Sequence, residues 1–279
     1  MSLRACQATT GAVHLATAPT PPASALIVLV MPMEAPTSAP APAEAVPAHG
    51  NLILKAIPPS EYQILQPHLE RVSLEWHHAL HLAGERITYG YFPGGGVVSL
   101  VVPMTDGRSA EVGMVGREGF VGAPLAGGLN HGPHVALVQV AAQAMRVAAD
   151  SLRELLPATP RLATLLTRYA LVQGMQLAQT AACNRLHNLE QRLARWLLMS
   201  QDRVNTNALP YTQDLLAIML GTDRPSVSVA VGELQAKGSI KQRRGSVEFV
   251  DRRRLEKSAC ECYRIIQEYD VELKADTAR

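Results

Sequence analysis

Apolar residues follow two different spacings along this chain, and each spacing predicts a different kind of structure. From about Asn51 they recur every three or four residues, with a break at Pro58-Pro59-Ser60, which predicts two short helices. From about Val72 to Val147, apolar and polar residues alternate in short runs separated by glycine-rich turns. This pattern predicts an antiparallel β-roll, a small cupin-like barrel. Within it, DGRSAEV after VVSLVVPMT predicts a hairpin.

After about Ala149 the spacing of apolar residues becomes helical again. Asp150 is a candidate N-cap for the short helix DSLRELL, and Pro160 suits the first turn of a long helix that runs to about Asn188. Small and apolar residues repeat along the long helix at spacings of three or four, at Leu166, Ala170, Gly174, Leu177 and Ala181. Such a seam favours a homodimer through this helix, and a helix lying over its own barrel is the alternative.

A second domain is predicted to begin where a new helix starts. Asn188 followed by Gln191 is a capping signal inside an otherwise helical region, which marks a hinge. Further on, Thr212 caps a short apolar helix that ends at Gly221, and Asp223 caps the next helix. The segment SIKQRRGSVEFV then predicts a two-stranded ribbon. Helix, glycine turn, helix and basic ribbon is the order of a winged helix-turn-helix.

A winged helix-turn-helix predicts contact with double-stranded DNA. Its second helix buries Val227, Val231 and Leu234 and presents Arg224 at its N-terminal end, where a guanidinium group reaches guanine in the major groove. Serine hydroxyls suit phosphates or base edges, and the basic ribbon suits phosphates. The residues expected at DNA are Thr212, Gln213, Arg224, Pro225, Ser226, Ser228, Lys241, Arg243 and Arg244.

Charge supports this prediction locally rather than globally. The chain carries a formal net charge of only +2, whereas residues 210–257 hold nine Lys and Arg against six acidic residues, a net of +3. A content of 47% hydrophobic and 18% charged residues is typical of a globular protein. The four cysteines form no disulfide framework, which favours a reducing, cytoplasmic compartment. No apolar run is long enough for a membrane span.

Four segments follow from these patterns. Residues 1–50 are rich in Ala and Pro and predict a disordered tail. We expect a sensor barrel at 51–158, a dimerisation helix at 159–188, and a winged helix with a C-terminal helix at 189–279. Together these segments predict an α+β fold.

Signals for catalysis, metals and cofactors are weak. The sequence has no Gly-x-Ser-x-Gly and no phosphate-binding Gly-Lys loop, so we expect no enzymatic activity. Cys183 and His187 are spaced to share a metal ion, and Cys260 and Cys262 lie near the C-terminus. A four-ligand site would require the C-terminal helix to fold back to the hinge. Buried cysteines acting as small apolar residues are the simpler interpretation, so we expect no metal and no cofactor.

The order of short helices, barrel, long helix, hinge and winged helix resembles the Crp/Fnr family of bacterial transcription regulators over residues 51–263. The motifs that carry the resemblance are TQDLLAIMLGTDRPSVSVAVGELQAKGSI with its RG-containing wing, EGFVGAP in the barrel, and QRLARWLL at the start of the DNA-binding domain. The resemblance implies a dimer on a near-palindromic DNA site, in contact with RNA polymerase, that activates or represses transcription.

The barrel departs from the family pattern at the ligand positions. In members that bind cyclic AMP, a Glu holds the ribose where this chain has Ala123, and an Arg followed by Ser or Thr holds the phosphate where it has His134 and Val135. The pair that contacts adenine corresponds to Leu177 and Ala178. A buried phosphate without an Arg would lack a partner for its charge. We therefore expect an effector other than cyclic AMP, of unknown identity, or none.

Two further departures concern the cofactor and the recognition helix. The oxygen-sensing branch carries clustered N-terminal cysteines for an iron–sulfur cluster, and only Cys6 lies in that region here. In the recognition helix, Pro225 and Val229 stand where relatives commonly have a Glu and an Arg. The DNA half-site that this protein recognises therefore cannot be inferred from the half-sites of the best-known members of the family.

Two alternatives stay open beside a ligand-sensing regulator. The barrel could bind a small molecule while the winged helix serves protein interaction, which predicts no salt-dependent affinity for duplex DNA. Alternatively, the barrel is a passive dimer scaffold in a DNA-binding protein that is regulated by its amount alone.

Overall fold

The computed structural model describes residues 50–204 and 206–277, with side chains to residue 271. The predicted N-terminal tail and Cys6 lie outside the described residues. The described chain is an α+β structure in which short helices, two antiparallel sheets, a long helix and a winged helix-turn-helix follow one another. The predicted fold class is confirmed.

The first two helices anchor the start of the fold to the β-roll. Helix α1 spans Leu52–Lys55 and α2 spans Pro59–Leu65. The side-chain oxygen of Asn51 caps α1 by accepting hydrogen bonds from the amides of Ile53 and Leu54, at 3.0 and 3.2 Å. The Asn51 amide group donates to the carbonyls of Pro93 and Gly119, at 3.0 and 2.8 Å. One buried side chain therefore both starts the helix and ties it to the sheets.

Seven strands form the β-roll as two antiparallel sheets, ordered β1-β7-β3 and β2-β6-β4-β5. Their bounds are β1 Glu70–Leu74, β2 Ala79–His81, β3 Tyr89–Pro93, β4 Val97–Pro103, β5 Ser109–Val115, β6 Val135–Val140 and β7 Ala142–Ala148. The predicted hairpin is β4–β5, which closes with Pro103 opposite Ser109. The alternating run from His134 to Ala148 breaks at Ala141 into β6 and β7, which belong to different sheets.

The interior of the roll is a continuous hydrophobic core. Phe92 and Phe120 lie fully inside it, with ring centroids 4.7 Å apart. The histidines of the segment EWHHALHL, without a carboxylate partner, predict a solvent-facing strand edge, but His81 is buried. Its ring lies edge-on to that of His134, with centroids 5.4 Å apart. That expectation is wrong at His81, because the spacing of residues along a strand does not reveal which of its faces is buried.

Helices α3 (Ala149–Leu155), α4 (Pro160–Leu186) and α5 (Leu189–Val204) follow the roll. Asp150 is not the N-cap of α3: it lies within the first turn and forms ion pairs with Arg86 and Arg153, at 3.1 and 2.5 Å. The predicted restart of the helix is confirmed. Asn188 and Gln191 exchange side-chain to backbone hydrogen bonds of 3.0 and 3.3 Å before α5.

The winged helix contains β8 (Ala208–Leu209), α6 (Gln213–Leu220), α7 (Arg224–Ala236), β9 (Ile240–Arg243) and β10 (Ser246–Phe249). Helices α8 (Arg252–Ser258) and α9 (Cys262–Thr277) complete the chain. The predicted two-stranded ribbon is a three-stranded sheet of order β8-β10-β9, because Leu209 pairs with Val247. Two residues are too few for β8 to produce a recognisable alternation in the sequence.

The β-roll and the winged helix share a second hydrophobic core. Val97, Val101 and Met114 of the roll pack in the same cluster as Trp196 and Leu197 of α5. The predicted division at residue 189 therefore separates segments of sequence that pack closely on one another. Among the described helices, none has both the length and the apolar character needed to cross a bilayer.

Candidate nucleic-acid interface

Local caps position the two helices of the helix-turn-helix. The hydroxyl oxygen of Thr212 accepts a hydrogen bond of 3.1 Å from the amide of Leu215, which starts α6. Gly221 ends α6 in the left-handed region, with φ of 61°. Asp223 then caps α7 by accepting from the amide and the hydroxyl of Ser226, at 2.8 and 3.0 Å. Each of these caps was predicted from the sequence.

Helix α7 has one buried face and one exposed face. Val227, Ala230, Val231 and Leu234 are buried against the core of the domain. On the opposite side lie Pro225, Ser228, Val229 and Gly232, and Val229 is 64% exposed. An exposed aliphatic residue at the centre of a helix that is otherwise well anchored is a candidate contact rather than a packing residue.

The charged residue at the start of α7 is available at the surface. The Arg224 side chain is exposed, and its Nε lies 3.4 Å from a carboxylate oxygen of Asp214 on α6. An exposed ion pair of this kind is weak, about 0–1 kcal/mol, so a phosphate or a base can replace the carboxylate. Ser226 and Thr212 each use their hydroxyl group in a helix cap, Ser226 as a donor to Asp223 and Thr212 as an acceptor from Leu215.

The wing presents its basic residues around a tight turn. Gly245 has φ of 77°, in the left-handed region that a glycine adopts without strain. Arg243 is paired with Glu248 at 3.1 Å, whereas Lys241 and Arg244 are exposed and form no ion pair with any residue in the described part of the chain. The free cations of the wing therefore lie at its edge and tip.

Several cations counted in the charge of this region have structural partners. Arg252 contacts Asp202 at 2.6 Å and Glu256 at 2.9 Å, and Arg254 pairs with Asp251 at 3.2 Å. Because these charges are already neutralised, the positive surface is smaller than the count of Lys and Arg indicates.

The residues predicted for a dimer seam share one face of α4 but differ in burial along the helix. Leu166 is in the core of the roll, and Leu177 is half-buried against Gly113 of β5. Ala170 is half-buried, and Gly174 and Ala181 are exposed. The large exposed apolar side chains of this helix are Leu171, Met175 and Leu186.

The positions that hold a cyclic nucleotide in relatives are lined differently here. Ala123 is buried at the start of a 3-10 turn, His134 and Val135 are buried, and Ala178 is exposed. Close by, a Cβ placed on Gly90 would lie 2.2 Å from the ring of Phe120, so this aromatic ring fills the space over the strand. The cause of the lowered pKa of His134 is burial, which disfavours the charged form that a phosphate would need.

Two buried polar contacts that the sequence did not predict join the roll to α5. Glu111 of β5 accepts hydrogen bonds from the indole of Trp196, at 2.8 Å, and from the hydroxyl of Ser99. Arg203 pairs with Glu118 at 2.8 Å. A charged residue at an inward position, Glu111 of β5 or Arg203 of α5, is the signal that could have identified them.

Comparisons with known proteins agree with this architecture. A sequence model described as the Crp-like helix-turn-helix domain matches residues 191–258. No protein with a curated description matches the chain in sequence.

Three solved structures illustrate the likeness of the whole fold. The c-di-GMP-responsive global regulator CLP of Xanthomonas campestris has a TM-score of 0.57 and 17% identity, covering 68% of this chain and 98% of that one. FixK2 of Bradyrhizobium japonicum has a TM-score of 0.57 and 17% identity, covering 69% and 98%. A CRP-family transcriptional regulator of Thermus thermophilus has a TM-score of 0.55 and 21% identity, covering 67% and 96%.

The resemblance inferred from the sequence is therefore confirmed: this chain has the fold of the Crp/Fnr family of transcription regulators, with a Crp-like helix-turn-helix domain at residues 191–258.

Proposed function

We propose that this protein is a sequence-specific transcription regulator that binds a near-palindromic DNA site as a homodimer, with α7 in the major groove. The observation that carries the proposal is the exposed face of α7 beside the basic wing, on a helix whose other face is fully packed. A helix held rigidly on one side and bare on the other has the form of a recognition helix.

Base recognition combines one charged and one apolar contact. Arg224 leaves its exposed pairing with Asp214 and forks onto the two acceptors of a guanine. Val229 contacts the methyl group of a thymine, the one apolar feature of the major groove. Pro225 and Gly232 add little bulk beside Val229, which lets the helix approach the bases closely.

Phosphate contacts come from both ends of the motif. The N-terminus of α6, with Thr212 and Gln213, offers backbone amides to a phosphate. Lys241, Arg243 and Arg244 contact the backbone from the wing, and Arg243 exchanges its exposed Glu248 partner for a phosphate. These contacts set the position of the protein on the duplex and make binding depend on salt.

Dimerisation through α4 supplies the two-fold symmetry that such a site requires. Its 27 residues span about 40 Å. The exposed Leu171, Met175 and Leu186 extend the apolar seam proposed from the sequence. In a single chain, all three side chains are exposed to solvent. In a dimer that buries them, we expect the two α7 helices to lie one turn of DNA apart, about 34 Å. Transcription would then follow from contact between the bound dimer and RNA polymerase.

The test is selection of binding sites from random duplex DNA at two salt concentrations, followed by affinity measurements on the enriched site. We expect a two-fold symmetric motif. Replacing Arg224 by Ala should weaken specific binding by about 1–3 kcal/mol and relax the preference at one base pair. Arg244→Ala should weaken binding to all sequences alike.

The matched control is Arg108→Ala, which removes an exposed, ion-paired arginine from the β4–β5 turn of the roll. It should leave the affinity unchanged. The proposal would be contradicted if the selection enriched no symmetric motif and the protein bound DNA only weakly, with no binding at higher salt. That result would favour a role of the winged helix in protein interaction. Cyclic AMP should not alter the affinity, since no Arg or Glu stands at the corresponding positions of the roll.

A further inference from the structure

Helix α9 folds back onto α4 and brings together four metal-ligating side chains that are far apart in the sequence. Cys183 lies in the last turn of α4, and His187 directly follows that helix. Cys260 lies in the turn between α8 and α9, and Cys262 is the first residue of α9. The Sγ atoms of the three cysteines and a ring nitrogen of His187 all lie within 4.8 Å of one another.

We propose that Cys183, His187, Cys260 and Cys262 bind a single tetrahedral metal ion of the Zn²⁺ class. The Sγ atoms of Cys183 and Cys260 are 3.5 Å apart, and Cys262 Sγ is 3.6 Å from His187 Nδ1. A tetrahedral ion with bonds of about 2.3 Å to sulfur and about 2.0 Å to nitrogen holds its ligand atoms about 3.5–3.8 Å apart. A cluster of several iron atoms would spread its ligands farther, so this compact set fits a mononuclear site.

The surrounding residues have the arrangement of an outer coordination shell. With Nδ1 of His187 directed at the thiols, Nε2 lies 3.2 Å from a carboxylate oxygen of Glu261. A carboxylate on the second nitrogen fixes the tautomer that leaves Nδ1 free to bind a metal. The amide of Gln179 donates a hydrogen bond of 3.0 Å to Cys262 Sγ. Both contacts orient ligand atoms, and neither involves a residue of the proposed DNA-binding surface.

Packing and charge also distinguish this group from ordinary buried cysteines. The three cysteines are buried but form a cluster of their own, separate from both large hydrophobic cores. Three thiolates, a neutral imidazole and a divalent ion carry a net charge of −1. The buried guanidinium of Arg195 lies 3.4 Å from the hydroxyl oxygen of Thr180, one turn before Cys183 on α4. Metal binding releases one proton from each thiol that is protonated in the free protein.

The site would close the winged helix into a loop. Cys183 and Cys260 are 77 positions apart, and the whole helix-turn-helix and wing lie between them. A bound ion would fix the C-terminal segment against the end of α4 and so set the attachment of the DNA-binding domain to the long helix. This role goes beyond the proposed DNA binding and does not depend on it.

The first measurement is the metal content of the full chain, purified under reducing conditions without chelator, where we expect one zinc ion per chain. The chelated protein is then titrated with Co²⁺. We expect saturation at one equivalent, with the intense visible bands of tetrahedral cobalt and the near-ultraviolet charge-transfer band of bound thiolates.

Variants separate this site from adventitious binding. Cys183→Ser and Cys262→Ser should lose the thiolate band in proportion to the sulfur removed. The matched control is Cys6→Ser, which changes the remaining cysteine of the chain and should keep the wild-type spectrum. Glu261→Gln should keep the spectrum but weaken Co²⁺ affinity about 10-fold.

Three results would overturn the proposal. The wild-type chelated protein could give only the pale spectrum of octahedral cobalt, Cys262→Ser could bind as tightly as the wild type, or mass spectrometry of the freshly purified protein could find a Cys183–Cys260 disulfide. The last result would identify a redox pair instead. The wild-type titration does not depend on the folding of any variant.

Discussion

At the scale of single residues, the least expected feature of the recognition surface is an aliphatic side chain in water. Val229 lies at the centre of the exposed face of α7, between the small Pro225 and Gly232. Burying it against a thymine methyl group on binding would be favourable, because apolar area would leave water on both partners.

This contact can be tested by removing the thymine methyl group and by truncating the Val229 side chain, separately and together. In the selected operator, each thymine is replaced in turn by deoxyuridine, which lacks only the C5 methyl. We expect one such change per half-site to weaken binding by the wild-type protein but not by Val229→Ala. Affinities of the four combinations give the coupling energy between the two groups. A coupling of zero at every thymine would place Val229 away from the bases.

At the scale of elements, the helix-turn-helix is defined by its ends. Thr212 starts α6, Gly221 ends it and Asp223 starts α7, so three residues set the relative position of two helices. Gly221 also lies close to the roll, since a Cβ there would be 3.1 Å from that of Ala110. A side chain at this position would suffer both the left-handed backbone and this contact.

Thr212→Ala should lower the free energy of unfolding by about 1 kcal/mol, because the amide of Leu215 loses its acceptor. Urea denaturation measures the change. Thr212→Ser keeps the hydroxyl and should restore most of the stability. If both variants were equally destabilised, the loss would come from the methyl group of threonine rather than from the cap.

At the scale of the whole molecule, the roll and the DNA-binding domain meet at a buried carboxyl group. Burial raises the pKa of Glu111 to about 7, against the hydrogen bonds from Ser99 and Trp196 that lower it. In the unfolded chain the carboxyl ionises at its ordinary value, 4.5. As pH rises from 4.5 to 7, the unfolded state therefore loses its proton first, and the contribution of Glu111 to stability falls.

Glu111→Gln keeps an oxygen for the indole of Trp196 and removes the titration. We expect the variant and the wild type to be about equally stable near pH 4.5, and the variant to be more stable at pH 8 by up to about 3 kcal/mol. Thermal unfolding across this pH range compares the two proteins. The contributions of other titrating groups are the same in both and cancel in the difference between their stabilities. A difference that does not change with pH would mean that Glu111 does not titrate in this window.

The sequence by itself determined the kind and order of the elements, and the caps of the helix-turn-helix. Thr212, Gly221 and Asp223 were readable because their partners lie within a few residues, and periodicity identified the buried face of α7. Local hydrogen bonds and the spacing of apolar residues depend on residues close together in the sequence, so they can be predicted without knowing the rest of the fold.

Only the tertiary structure decided which distant residues meet. It buried His81, paired the two residues of β8 with β10, joined Glu111 to Trp196, and brought Cys183 and Cys260 to 3.5 Å. Each of these contacts depends on where a chain segment returns after dozens of residues. The position to which the chain returns is set by the packing of whole helices and sheets, and a local sequence pattern does not predict that packing.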